Sequence, residues 1–227
     1  MHDVKDNDQR AFLAKLFMYF VLGTSTLLML LTVVQVLMVG LAVNPLAGRE
    51  LIVFGIVAGL TSVLYFISVL AAPVFFILWF YRSYNNLYSI NRKNVSFPPA
   101  QAIWIWFVPF LNLIRPREIM AEVWDMNQHY AFKSDPSLKE QPPNRNLLNT
   151  WWGLWLFSSF LSGLNTSLSI WIGSIGEFVW VALVGIVGQS MAIGAALAVI
   201  RIVTIVREYE KVIFVQMDDL LDGKELY

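Results

Sequence analysis

The sequence predicts an all-α fold: a four-span transmembrane helical bundle with a cytoplasmic-side re-entrant or interfacial segment and amphipathic helices. The 227-residue chain is 57% hydrophobic and only 14% charged, so a soluble globule could not present a normally hydrated surface. Four long stretches contain no Asp, Glu, Lys or Arg, and ~20 apolar residues suffice to cross a bilayer. Of the 16 Lys and Arg residues, only Arg49 lies in a segment that this topology places outside the cell.

The chain is predicted to form a single integral membrane domain over residues 1–227. Basic residues precede the first span, lie between the second and third, and follow the fourth, so both termini are expected in the cytoplasm. The apolar run of the first span is longer than the ~7–15 residues of a cleaved signal, which predicts a retained signal anchor. The four predicted spans are residues 16–43, 51–81, 151–172 and 178–200.

The uncharged stretch 97–114 is predicted to be re-entrant or interfacial rather than a fifth span. Pro98, Pro99 and Pro109 interrupt it. A helix over residues 100–108 would rise only about 14 Å, roughly half of the hydrocarbon thickness. A fifth span here would also export several basic residues, against the charge rule.

Two amphipathic helices are predicted on the cytoplasmic side. Pro116 suits a first helical turn, and the apolar residues that follow it predict a helix over residues 117–130. Apolar residues at helical spacing predict that residues 201–221 continue the fourth span as a cytoplasmic helical tail. Pro73 is expected to kink the second span, because it lacks a backbone N–H.

Polar residues inside the third and fourth spans allow two interpretations. Ser158, Ser162 and Asn165 share one helix face, and Gln189 lies among small residues. Helix packing is the favoured interpretation, since such residues are ordinary contacts between membrane helices. The alternative is a polar path for a small solute in a transporter or channel. No charged residue lies well inside a span, whereas coupled transporters usually place one there.

A stripe of titratable residues follows one side of the helix at 117–130. Glu118, Glu122, Asp125 and His129 are spaced by four, three and four residues. Such a stripe can bind a divalent metal or move a proton, but a solvated polar face is favoured. The sequence contains no HExxH, GxSxG or Gly-rich phosphate loop and no Cys. We therefore predict no cofactor, and an enzyme is the weakest interpretation. Zero net charge gives no support for a nucleic-acid partner.

Four motifs follow one another along the chain. They are WFYRSYNNL from Trp79, WIWFVPFLNLIRP from Trp104, the group Met120, Val123 and Trp124, and WWxxW from Trp151. In order and spacing they resemble a bacterial membrane family catalogued as domain of unknown function forty-three twenty-eight. The resemblance covers roughly residues 51–207. It implies a multi-pass bacterial membrane protein and brings no established activity, substrate or catalytic residue. The predicted location is the bacterial inner (cytoplasmic) membrane.

The motif residues Arg82, Asn85, Asn112, Arg115 and Arg117 are all expected at the cytoplasmic face. The favoured interpretation is that they satisfy the broken backbone of the interfacial segment. The alternative is that they hold an anionic lipid headgroup or another phosphate-bearing ligand. We therefore predict a non-enzymatic binding or scaffolding protein that engages lipid or protein at the cytoplasmic face, with a transporter or channel as the alternative. Expected partners are membrane lipids, other membrane proteins or a second copy of the chain.

Overall fold

In the computed structural model, which describes residues 4–40, 48–135, 137–138 and 145–221, all regular structure is helical. This confirms the all-α prediction. The six α-helices are α1 (Asp8–Gly40), α2 (Arg49–Ile90), α3 (Gln101–Trp104), α4 (Arg115–Ser134), α5 (Asn146–Ser169) and α6 (Ile175–Leu221). Three 3-10 turns accompany them at Arg92–Asn94, Ile105–Phe107 and Leu111–Leu113.

Three helices of the described chain, α1, α2 and α6, are long and apolar enough to cross a membrane. Even α1, the shortest of them at 33 residues, rises about 50 Å, against a hydrocarbon core of ~30 Å. These helices indicate a membrane protein. Helix α5 has 24 residues but is not among the apolar candidates. Its Ser, Thr and Asn residues dilute its apolar content, so three spans rather than four follow from length and composition.

The described chain divides into two compact units, and four of its helices, α1, α2, α5 and α6, contribute residues to both. Unit 1 comprises the described residues within 1–16, 73–149 and 199–227. Unit 2 comprises those within 17–72 and 150–198.

Helices α2 and α6 continue well beyond the charge-free stretches of the sequence. Helix α2 passes through Pro73 and ends at Ile90, and the kink expected at this proline stays a prediction. Helix α6 continues through Arg201 without a break. Both extensions belong to unit 1, where they form its core together with α4.

The core of unit 1 is built on one face of α2. Phe80, Tyr84 and Leu87 recur at helical spacing and are fully buried. The ring of Phe76 lies 5.8 Å from that of Phe80 and meets Trp106 edge-on at the same distance. Burying side chains of this size contributes roughly 1.5–3 kcal/mol each. The facing helices supply further fully buried residues, which include Ile119, Met120 and Val123 of α4 and Ile202, Val203 and Val206 of α6.

The segment 97–114 contains no helix longer than one turn. Helix α3 has four residues and runs directly into the 3-10 turn Ile105–Phe107. After Pro109 the chain reverses at Phe110, whose φ of 64° lies in the left-handed region. A residue with a Cβ adopts that conformation at a cost of about 1–3 kcal/mol. The strained turn therefore has to be held by the structure around it.

In unit 2, α5 and α6 approach closely at Gly185. The Nδ2 of Asn165 donates to the Val181 carbonyl oxygen at 2.6 Å. A Cβ added to Gly185 would lie 3.0 Å from that same Nδ2. Small residues allow helices in a membrane to pack closely in this way. Asn165, one of the polar residues inside the predicted spans, therefore contributes to helix packing.

We expect Gly185→Leu to destabilise unit 2 by roughly 2–3 kcal/mol, because overpacking displaces the Asn165 amide and leaves it without its acceptor. The thermal unfolding midpoint in detergent measures the effect. The matched control is Gly163→Leu, since nothing lies within 4 Å of a Cβ added to Gly163. Equal midpoints for the two variants would contradict the close approach.

Candidate functional site

A buried polar cluster in unit 1 centres on Asn7 and Glu210. The Asn7 side chain is only 4% exposed. Its Nδ2 donates to the Trp79 carbonyl oxygen at 3.3 Å and to both carboxylate oxygens of Glu210 at 3.2 Å. All three neighbours are acceptors, which fixes the orientation of the amide. The Oδ1 of Asn7 is consequently left buried with no hydrogen-bond partner.

This cluster opens into a cavity of about 290 Å³. A water molecule occupies ~30 Å³ of liquid volume, so the cavity has room for several waters or a small molecule. Its walls combine amides and charges of both signs with apolar side chains such as Ile90 and Phe214. The lining includes Lys5, Asp6, Asn7, Asp8, Asn86, Asn127, Glu210 and Lys211.

The two carboxyl groups of the cluster differ sharply in their electrostatics. Asp8 accepts two hydrogen bonds of 2.8 Å from Arg207, which lower its pKa to about 2, and Lys211 lies 3.4 Å away. Burial raises the pKa of Glu210 to about 7, and the negative charges of Asp8 and Asp6 add to the effect. Hydrogen bonds from Ser83 and Asn7 offset only part of this rise. Glu210 therefore titrates close to neutral pH.

Residues 4–8 are attached to α2 by a second contact. The backbone N–H of Lys5 donates to the Asn86 Oδ1 at 3.1 Å, and the Asn86 Nδ2 donates back to the Lys5 carbonyl oxygen at 2.8 Å. Such reciprocal amide pairing mimics one rung of a β-ladder. Sequence reasoning missed the whole cluster, because the polar residues before the first span were interpreted only as topology signals.

Tyr84 holds the beginning of the segment 97–114. Its hydroxyl donates to the Glu122 Oε2 at 2.7 Å and accepts from the Phe97 N–H at 3.0 Å. The Ser96 N–H donates to the same Glu122 oxygen at 3.2 Å. Burial, followed by the hydrogen bond to Glu122, raises the pKa of the Tyr84 phenol. The Glu122 carboxylate therefore holds the backbone at Ser96 directly and at Phe97 through the Tyr84 hydroxyl.

In the described part of the chain, the five residues predicted to bind a headgroup form no side-chain hydrogen bonds or ion pairs with one another. Arg115 pairs with Glu118 at 2.9 Å, and its guanidinium lies 4.8 Å from the centre of the Phe97 ring. Arg117 donates from Nε to the Asn149 Oδ1 at 3.1 Å. The Nε of Arg82 is buried and has no hydrogen-bond partner. Asn85 and Asn112 are half-buried on α2 and in the turn Leu111–Leu113, respectively.

The four side chains of α4 that were predicted as metal ligands contact different partners. Glu118 pairs with Arg115 and Asp125 with Arg145, while Glu122 accepts from Tyr84. The His129 ring packs edge-on against Tyr130 at 5.5 Å. Within the described ranges, no three His, Asp or Glu side chains converge to hold a metal ion.

A known protein family matches the part of the chain that contains the motifs WFYRSYNNL and WIWFVPFLNLIRP. Residues 46–208 match the family described as Domain of unknown function (DUF4328). The chain belongs to this family. The match covers most of the chain and confirms the resemblance. No curated protein and no solved structure matches the chain.

The DUF4328 region supplies only part of the buried polar cluster. Ser83, Asn86 and Asn127 lie inside the matched residues, whereas Asn7 and Glu210 lie outside them. The structure explains why the motif WFYRSYNNL combines aromatic and polar residues. Its aromatic residues Phe80 and Tyr84 fill the core of unit 1, and Ser83 and Asn86 face the cluster.

The predicted polar residues of unit 2 are engaged locally in this DUF4328 protein. The Ser158 hydroxyl donates to the Trp155 carbonyl oxygen at 2.9 Å, whereas Ser162 is exposed. Gln189 hydrogen-bonds to Tyr65, but its Oε1 is buried without a partner. The Asn165 bond to Val181 and the Gln189 bond to Tyr65 each join two different helices, as is common where membrane helices pack.

The segment 97–114 of the DUF4328 region exposes large apolar side chains. Phe110 is 82% exposed, Phe107 74% and Ile114 59%. The lack of charge predicts a position at the membrane for this segment, but it does not indicate which side chains face outward. Other exposed apolar residues of the segment are Ile103, Trp104, Leu111 and Leu113.

Proposed function

We propose that this protein crosses the bacterial inner membrane four times with both termini in the cytoplasm. In this arrangement α5 is the third span along the chain, in addition to α1, α2 and α6, since 24 residues rise about 36 Å and exceed the hydrocarbon core. The distribution of basic residues along the sequence supports this orientation. Unit 1 then lies at the cytoplasmic face.

At that face, we propose that the protein binds lipid or a protein partner and catalyses no reaction. The observation that carries the proposal is the exposed apolar surface of residues 103–114. Proteins in water rarely expose a contiguous apolar surface of this kind, because its hydration is unfavourable. Phe107 ends one 3-10 turn and Phe110 precedes the next, and the Tyr84 hydroxyl holds the beginning of the same segment at Phe97. Insertion of this surface among lipid headgroups and upper acyl chains removes it from water.

The basic residues next to this surface suit anionic lipid. Arg115 follows Ile114 directly, and its guanidinium lies over the Phe97 ring. In the proposed site, Arg82, Asn85, Asn112, Arg115 and Arg117 hold the headgroup. Each positive charge near an anionic membrane surface contributes about 1 kcal/mol to attraction.

The alternative function is a small-solute transporter or channel. It finds support in the Oε1 of Gln189, a buried acceptor of unit 2 that lacks a donor. Selective solute flux into liposomes, lost on Gln189→Leu, would favour this alternative over binding.

We expect residue 110 to lie in lipid. The chain contains no Cys, so Phe110→Cys introduces a single site for a nitroxide label. In liposomes, the label should be accessible to oxygen and shielded from a water-soluble nickel complex. Paramagnetic relaxation of the label measures both accessibilities. Lys93→Cys, at an exposed position, is the control and should show the reverse. A label at 110 as accessible to nickel as that at 93 would refute the insertion.

A further inference from the structure

Two arginines of unit 1, Arg10 and Arg82, lie near the end of the uncharged run of α2. The Nη1 of Arg10 donates to the Leu78 carbonyl oxygen at 3.2 Å. In a helix this carbonyl also accepts the backbone N–H of the residue four positions later, which is Arg82. The guanidinium of Arg10 is therefore anchored within one helical turn of the Arg82 backbone.

Neither arginine forms an ion pair with any described residue. The Arg82 Nε is moreover buried without a hydrogen-bond partner. Burial and the positive charge of Arg82 lower the pKa of Arg10. Arg115, Arg145 and Arg207 differ from this pair, because each has a carboxylate partner. Two neighbouring cations with an unsatisfied donor favour the binding of an anion.

The position of the pair indicates the chemistry of that anion. Arg82 is the first charged residue after the charge-free residues 51–81. Its neighbour Tyr81 lies close enough to Arg10 to influence its pKa, and its phenol is a further potential donor. The end of an uncharged membrane helix lies near the headgroup level, where phosphate groups are abundant.

We propose that Arg10 and Arg82 together bind a phosphate-bearing anion, supplied by a lipid headgroup or by phosphate in solution. Planar guanidinium groups donate paired hydrogen bonds to phosphate oxygens, and the anion removes the repulsion between the two charges. This inference rests on the proposed function for the cytoplasmic position of the pair. It adds Arg10, which the sequence does not associate with Arg82, and makes the two arginines the centre of the site.

The test is native mass spectrometry of the full chain, titrated with phosphatidylglycerol, phosphatidylcholine or inorganic phosphate. Arg10→Gln and Arg82→Gln should each weaken phosphatidylglycerol binding by roughly tenfold to a hundredfold, as expected for loss of charge-assisted hydrogen bonds. Arg92→Gln, on the exposed turn Arg92–Asn94, is the matched control and should bind as wild type. Preference for the anionic lipid over inorganic phosphate identifies the headgroup as the source, whereas equal affinity identifies phosphate itself.

A second readout separates binding from a structural role. Without added lipid, the thermal midpoints of Arg10→Gln and Arg82→Gln should equal or exceed that of wild type, because one of two repelling charges is gone. Arg82→Lys should retain part of the affinity, since it keeps the charge and loses the paired geometry. Lower midpoints in both Gln variants together with unchanged affinity would overturn the inference.

The outcomes also distinguish this inference from the proposed function. Loss of lipid with Arg115→Gln alone, while the Arg10 and Arg82 variants bind as wild type, overturns the arginine pair and leaves the proposed function standing. Loss with the Arg10 and Arg82 variants, combined with a water-exposed label at residue 110, supports the pair and overturns membrane insertion. Absence of any phosphate-bearing adduct on the wild-type protein overturns the pair.

Discussion

The Glu210→Gln variant is expected to be more stable than the wild type at pH 8, by up to roughly 3 kcal/mol at 1.36 kcal/mol per pKa unit. Burial raises the pKa of Glu210 from 4.5 to about 7. The folded state therefore binds a proton more tightly than the unfolded state. The resulting stabilisation is complete below pH 4.5 and is lost as the pH rises through 7. Gln keeps an oxygen acceptor for Asn7 and carries no charge at any pH.

Thermal unfolding of the detergent-solubilised protein between pH 4.5 and 8 measures this effect. The wild type should lose stability across that interval relative to Glu210→Gln. Asp8 does not interfere, because its pKa of about 2 confines its titration to more acidic solutions. The control is Glu208→Gln, an exposed position two residues away, which should follow the wild type. Parallel pH profiles of stability for wild type and Glu210→Gln would show that folding does not raise the pKa of Glu210.

Tyr84→Phe is expected to lower stability by roughly 2–3 kcal/mol, the scale of a hydrogen bond to a charged group plus an orphaned donor. The ring and its packing are retained. The change removes the hydroxyl that donates to Glu122 and accepts from Phe97. The beginning of the segment 97–114 should loosen as a result.

Hydrogen exchange reports this loosening directly. The amides of Ser96 and Phe97 should exchange faster in Tyr84→Phe, together with a lower thermal midpoint. Tyr88→Phe is the matched control, since its ring is half-buried on the same helix and keeps its contact with Arg92. If both variants exchange alike at residues 96–97, Tyr84 does not anchor the segment.

The features set by composition and local chemistry were predictable from the sequence. The scarcity of charge and the apolar runs predict helices long enough for a membrane, and three such helices are found in the described chain. Pro98, Pro99 and Pro109 predict that no long helix forms between residues 97 and 114. The spacing of Ile119, Met120 and Val123 predicts which side of α4 is buried.

The features that depend on distant partners were not predictable. Periodicity places Glu118, Glu122 and Asp125 on one side of α4, but it does not reveal what covers that side. Arg115 pairs with Glu118 from three residues earlier on the same helix, whereas Tyr84 and Arg145 approach Glu122 and Asp125 from other parts of the chain. Asn7 and Glu210 are separated by 203 positions, so no local pattern connects them.

The contacts of residues 4–8 also constrain how the protein is made. Asp8 and Arg207, like Asn7 and Glu210, are joined across about two hundred residues of chain. At ribosomal rates of about 5–20 residues per second, the first partner waits roughly 10–40 s for the second to be synthesised. Until then the Asp8 carboxylate lacks both of its cationic partners, and the Asn7 amide lacks the Glu210 carboxylate. Closure of the polar cluster is consequently a late event in biogenesis, after the helices between these residues have been synthesised.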